Sequence, residues 1–191
     1  MSHLLICSAT ILLATCVCNL HAQKTDEPRI DLAVTYTAER TLQANTTQSV
    51  WLQGGSVQLG TDIWRGFGLA ADITGLHTAS VASSGVPFSE LTATFGPRYR
   101  WHTGHHVSVY GQALVGEGNS FYTVVPSPGA AQSGTNSLAL KIGGGLDYSL
   151  SHRLSLRALD ASWVRTQFGN STDNLQNDLR LGAGLVVKFG H

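Results

Sequence analysis

Arginine, lysine and aspartate recur in this chain beside large apolar residues: Arg98 and Arg100 flank Tyr99, Asp147 lies between Leu146 and Tyr148, and Arg180 lies between Leu179 and Leu181. Asp72, Lys141, Arg157 and Asp160 stand in similar settings. In an extended chain successive side chains point to opposite faces, so each charge belongs to the face that its apolar neighbours leave. Such a set could line an aqueous pore, close one with ion pairs, or act as acid and base on a substrate. A charge taken out of water needs a partner, and Arg157 with Asp160 is the pair to test first. His102, His105 and His106 could ligate a metal, but no carboxylate or cysteine stands beside them. Surface imidazoles are therefore expected, with no metal and no cofactor. Ser120 and the other loop serines have no His and Asp in sight with which to build a triad, so no enzymatic activity is expected.

The elements that must position these charges are alternating segments. The last is the clearest: Leu179, Leu181, Ala183, Leu185, Val187 and Phe189 share one face, and Arg180, Gly182, Gly184, Val186 and Lys188 the other. Strands are expected over 31–37, 55–60, 64–74, 90–101, 107–116, 137–148, 153–168 and 179–189. Pro97 predicts a bulge in the fourth strand, since it cannot donate to a ladder. The phase of the seventh slips near Leu159, and a bulge there would turn both Arg157 and Asp160 to one face. Polar stretches over 38–49, 75–88, 117–136 and 169–177 alternate with tight connections at 61–63, 102–105 and 149–152. That rhythm, with strands near the length that suits a tilted bilayer crossing, is what antiparallel neighbours in a membrane barrel require.

Bulk properties point the same way. Lysine plus arginine equal aspartate plus glutamate at 12 each, and charged residues make up only 13% of the 191-residue chain. There is no basic surface to suggest nucleic acid, and the charge is too sparse for a water-covered surface. An apolar run over 4–17, with Leu20, His21 and Ala22 before Gln23, reads as a secretory signal over 1–22. A short tail over 23–28 would then precede a barrel over 29–191. Cys7, Cys16 and Cys18 all fall inside that signal, which leaves the exported chain with no disulfide, zinc site or cysteine nucleophile.

Alternation alone does not say which face is inside. The second face is rich in Gly, Ala, Ser and Thr with scattered charges of both signs, and this suits the cramped lumen of an eight-stranded barrel better than a water-facing surface. Trp64, Trp101, Tyr148 and Phe189 fall at the short-turn ends of their strands, and Tyr36, Trp51 and Trp163 towards the long-loop ends, as two interfacial girdles would. The expected fold is all-β: an eight-stranded antiparallel up-and-down transmembrane β-barrel. The lumen is expected to be filled by side chains, with paired structural charges and no open channel; a small-solute pore or a lipid-modifying enzyme is the alternative.

Over 29–191 the chain resembles the small eight-stranded outer-membrane barrels typified by the OmpA membrane domain and OmpX-like proteins. The resemblance rests on the eight-segment order, on Gly96-Pro97-Arg98-Tyr99-Arg100-Trp101, on Gly143-Gly144-Gly145-Leu146-Asp147-Tyr148, and on the final strand. In that strand Gly184, Val187 and Phe189 match the glycine and two hydrophobic positions of the family's assembly signal, which implies the barrel-insertion machinery as a partner. It further implies a bacterial outer-membrane location, surrounding lipid, a monomeric state, and a structural or surface-interaction role in which loops 75–88 and 117–136 face any external ligand.

Overall fold

The computed structural model describes residues 29–42, 49–79, 88–103, 106–121, 135–166 and 176–189. They form eight strands: β1 Arg29–Leu42, β2 Ser49–Trp64, β3 Phe67–Thr78, β4 Phe88–Thr103, β5 Val107–Phe121, β6 Thr135–Ser149, β7 Leu154–Thr166 and β8 Gln176–Phe189. Each pairs antiparallel with the next, and β8 returns to β1 through pairs that run from Ile30 with Phe189 to Arg40 with Leu179. Closure leaves no strand edge among them.

Alternation decides which residues fill the lumen. On β4, Thr92, Thr94, Arg98 and Arg100 are buried, while Leu91, Phe95 and Trp101 are exposed, Phe95 at 67%. The same holds on β1, where Asp31, Thr35, Thr37 and Glu39 are buried and Val34 and Tyr36 exposed. The polar face is therefore the inside of the barrel. A soluble ligand-binding barrel has the reverse arrangement, with its apolar face inward.

The strands are longer than their apolar alternation suggests, 12 residues in β3 and 16 in β2 and β4. The stretch read as a loop over 75–88 gives residues 75–78 to β3 and Phe88 to β4. The stretch over 117–136 likewise gives 117–121 to β5 and 135–136 to β6, and Glu39 lies in β1 although 38–49 read as loop. Near the long-loop rim inward residues include Leu52, Leu76 and Val164 while Gln53 and His77 face out, so the hydrophobic contrast that marks a strand fades and inverts. The ladders continue regardless, because backbone pairing does not depend on that contrast. The central parts of those loops, the signal over 1–22 and the tail over 23–28 lie outside the described residues.

Two further expectations are corrected. The tight connection read at 61–63 is instead Arg65 and Gly66, with φ of 47° and 86°. Positive φ at both central residues is the two-residue hairpin turn whose twist matches its strands. Thr61 and Asp62 stay paired with Leu69 and Gly68, and the register shifts between Asp62 and Trp64. Pro97 makes no bulge: the β4–β5 ladder omits Gly96 and Pro97 but resumes in the same register, Phe95 with Val115 and Arg98 with Gln112. One missing donor is absorbed without inserting a residue. On β7 the register does shift, Asp147 facing Arg157 and Leu146 facing Leu159, so Ala158 is the extra residue. Arg157 and Asp160 are both buried as a result.

Candidate functional site

The charged lumen is the candidate site, and it is built in three tiers. Nearest the short turns, Arg98 donates to both carboxylate oxygens of Asp31, at 2.9 and 2.6 Å, and to Asp62 at 3.0 Å. Arg100 reaches Asp31 at 3.2 Å and Asp147 at 3.6 Å. Arg157 clasps Asp147 through Nε at 2.9 Å and Nη2 at 3.3 Å, donates to Gln58 at 2.8 Å, and approaches Asp160 at 3.4 Å. Its guanidinium lies 4.4 Å from the centre of the Tyr110 ring, whose hydroxyl donates to Asp160 at 2.5 Å. Gln58 completes the tier by donating to Gln112 at 2.9 Å. Forked guanidinium–carboxylate bonds have fixed geometry, so strands β1, β2, β4, β5, β6 and β7 are tied across the lumen at set distances.

Local sequence makes this tier possible. The bulge at Ala158 brings Arg157 and Asp160 to one side, as above. Gly145 leaves room for Tyr110: a Cβ there would lie 2.6 Å from the Tyr110 hydroxyl oxygen. Removing the hydroxyl alone isolates one bond of the network. Tyr110→Phe keeps the ring beneath Arg157 and leaves Asp160 short of a donor, so we expect a loss of about 1–2 kcal/mol in denaturant unfolding. An unchanged midpoint would mean that this bond carries no stability.

The middle tier is a single pair, Lys141 with Asp72 at 3.1 Å, to which Thr74 donates at 2.8 Å. Towards the long loops, Arg180 donates to Glu39 at 2.6 Å and to Thr92 at 3.2 Å and stands 3.7 Å from Glu90.

The structure thus brings all eight charges singled out from the sequence into the lumen: Arg98, Arg100, Asp147, Arg157 and Asp160 in one network, Asp72 with Lys141, and Arg180 apart from both. Their partners Asp31, Asp62, Glu39, Glu90, Gln58, Gln112 and Tyr110 are not singled out by the sequence, although Glu90, Gln58, Gln112 and Tyr110 fall on the inward faces of their strands. The phase of Asp31 with Thr35 and of Glu90 with Thr92 was a usable signal, since both stand on polar faces. Gly184 faces the lumen side opposite Thr35, and Val187 and Phe189 face out.

Chemically, the tiers hold strands in register and occupy space. Arg98, Arg157, Tyr110 and Leu114 are each at most 2% exposed, whereas a water-filled channel would leave its lining accessible. His102 and His106 are exposed, His106 stacking on Tyr148, and His105 lies outside the described residues. Among the described residues no group of three or more His, Cys, Asp or Glu is arranged to hold a metal. His77 and Ser89 do share a hydrogen bond, at 2.9 Å, but Ser89 is fully buried and presents no hydroxyl to a substrate.

A closed eight-stranded barrel with ion pairs inside and apolar side chains outside decides the comparison. This is the fold of the small outer-membrane barrels. Neisserial surface protein A, NspA, aligns with 86% of this chain and 98% of its own, at 18% identity and a TM-score of 0.62. Ail, the attachment invasion locus protein of Yersinia pestis, aligns with 86% of this chain and all of its own, at 19% identity and a TM-score of 0.56. The same protein in complex with the heparin analogue sucrose octasulfate gives 18% identity and the same TM-score of 0.56. No protein-family model and no curated protein sequence matches the chain.

Proposed function

We infer that this barrel is a monomer of the bacterial outer membrane, exported through a cleaved signal and inserted by the barrel-assembly machinery, with Gly184, Val187 and Phe189 serving as its recognition strand. Its role is structural and interactive: the barrel anchors the long-loop rim at the cell surface, where the segments over 75–88 and 117–136 meet a ligand or another cell. Neither catalysis nor solute passage belongs to this reading. The observation that carries it is the inverted distribution of polarity, with Arg98, Arg157 and Asp147 at or below 1% exposure while Phe95, Tyr36 and Trp64 stand above 55%. In water that outer surface would be an extended apolar patch; in hydrocarbon it is the stable arrangement, and closure of the ladder leaves no strand edge among the described strands. Two of the similar structures carry names that denote a surface protein and an attachment protein, which accords with a surface role.

Reconstitution into a planar bilayer tests the closed lumen. The barrel is expected to give no steady single-channel conductance, and vesicles that contain it should show no turnover of lipid A. Steady conductance would overturn the closed reading, and lipid turnover would overturn the non-enzymatic one.

A further inference from the structure

Buried polar atoms that find no hydrogen-bond partner among the described residues divide by height in the lumen. In the network nearest the short turns they are chiefly N–H groups, Arg98 Nε, Arg100 Nε and Gln112 Nε2, and no carboxylate oxygen is among them. Around Lys141 and Arg180 they are oxygens instead: Glu39 Oε1, Glu90 Oε1 and Asp72 Oδ2, with the hydroxyls of Thr94, Ser162 and Thr166. All six of those residues are at most 5% exposed. The N–H left over at that height is Arg180 Nη2, which stands 3.7 Å from Glu90 Oε1, beyond hydrogen-bond reach. Charge is unbalanced there as well. Four inward carboxylates, Glu39, Asp72, Glu90 and Asp178, stand against two cations, Lys141 and Arg180, among the described residues. Both cations are already engaged, Arg180 Nε on Glu39 Oε2 at 2.6 Å and Lys141 on Asp72 Oδ1 at 3.1 Å. Buried negative charge in excess is costly unless something positive joins it.

We propose that this half of the lumen binds a hard divalent cation of the Mg²⁺ or Ca²⁺ type, held by Glu39 Oε1 and Glu90 Oε1. The two carboxylates come from β1 and β4 and flank one guanidinium, and the ion takes the oxygens that Arg180 leaves. Its two positive charges offset the excess of two negative ones. Carboxylate and hydroxyl oxygens, with no nitrogen or sulfur beside them, favour such an ion over zinc or copper. No three acidic or imidazole groups converge among the described residues, so part of the shell remains water, as Mg²⁺ characteristically keeps it. Hydroxyls are in place to meet that water: Ser162 lies directly across the β7–β8 ladder from Arg180, and Thr94 across the β3–β4 ladder from Asp72. An ion there ties β1 to β4 and fills space, so the lumen stays closed.

The test refolds the full barrel into phosphatidylcholine vesicles in EDTA or in Mg²⁺, removes free ion, and counts retained metal by mass spectrometry. Wild type is expected to hold about one Mg²⁺ per barrel, and Glu90→Gln to bind it at least roughly tenfold more weakly. A ligand that binds only the folded state stabilises it, so the urea midpoint of wild type should be higher in Mg²⁺ than in EDTA, and that of Glu90→Gln the same in both. Glu117→Gln, which removes a carboxylate from the outer wall, should behave as wild type does. Heat-modifiable mobility on a gel reports folding of each variant independently of metal. Folded wild type that retains no Mg²⁺ and has one midpoint in both media would overturn the site, as would equal loss in Glu117→Gln. A midpoint that rises on acidification but not with Mg²⁺ would mean that a proton shared by Glu39 and Glu90 takes the cation's place, and the site is then wrong. Steady conductance from a barrel that still retains Mg²⁺ would remove the closed lumen and leave the cation site standing.

Discussion

Arg157→Ala should lower the stability of the barrel by about 3–5 kcal/mol, the cost of leaving buried charges without their partner. Arg157 is 1% exposed and carries bonds to Asp147, Gln58 and Asp160 as well as the stack on Tyr110. Truncation leaves Asp147 with only the more distant Arg100, at 3.6 Å, and Asp160 with only the Tyr110 hydroxyl, and Gln58 loses a donor as well. Pairing the change with Asp147→Leu removes one of those carboxylates, so the double variant should recover part of the loss. Arg157→Lys should fall between, because an ammonium cannot fork across both oxygens of Asp147. Urea unfolding in lipid vesicles, followed by tryptophan fluorescence, reads all three. Equal midpoints for wild type and Arg157→Ala would show that the network is not what holds the lumen.

Gly184→Val acts on the closing seam. A Cβ at Gly184 would stand 2.0 Å from the Val34 carbonyl oxygen and 2.6 Å from the Thr35 Cα, atoms of backbone that do not swing aside. Gly184 pairs with Thr35 on β1 and with Arg157 on β7, so the clash falls where the last strand meets the first. Overpacking costs about 1–3 kcal/mol when side chains can adjust, and backbone against backbone should reach the upper end of that range or exceed it. The expected result is about a tenfold or greater fall in folded yield, read by heat-modifiable mobility after refolding. Gly75→Ala is the control, since its Cβ meets only the Leu91 Cδ1 at 3.9 Å. Equal yields from the two would remove the steric account of this glycine.

How far these features can be read from sequence depends on where they sit along the barrel. In the belt, β3, β4 and β8 set large apolar residues against small or charged ones, and strand identity and inner face both follow from period two. The phase break near Leu159 was legible for the same reason: two charges three positions apart reach one face only if a residue is inserted. Towards the long-loop rim the signal inverts, with Leu52 and Val164 inward and Gln53 and Arg165 outward, and strand ends there read as loop. The partners of the charges were harder still. Asp31 and Arg98 are 67 positions apart and Glu39 and Arg180 are 141 apart, joined by closure of the barrel rather than by any local pattern. Pro97 gives a false signal of a bulge because a missing donor does not demand an extra residue: the ladder simply skips it.

The central claim is that the apolar wall faces lipid and the charged face is enclosed. Single cysteines at outward Val34, Phe95 and Leu185 and at inward Thr35, Thr94 and Ser162, in a background with Cys7, Cys16 and Cys18 absent, can each carry a small fluorophore in vesicles of brominated phospholipid. Strong quenching at the three outward sites, and little at the three inward ones, is the predicted result. Outward sites that escape bromine and react freely with a water-soluble thiol reagent would contradict it.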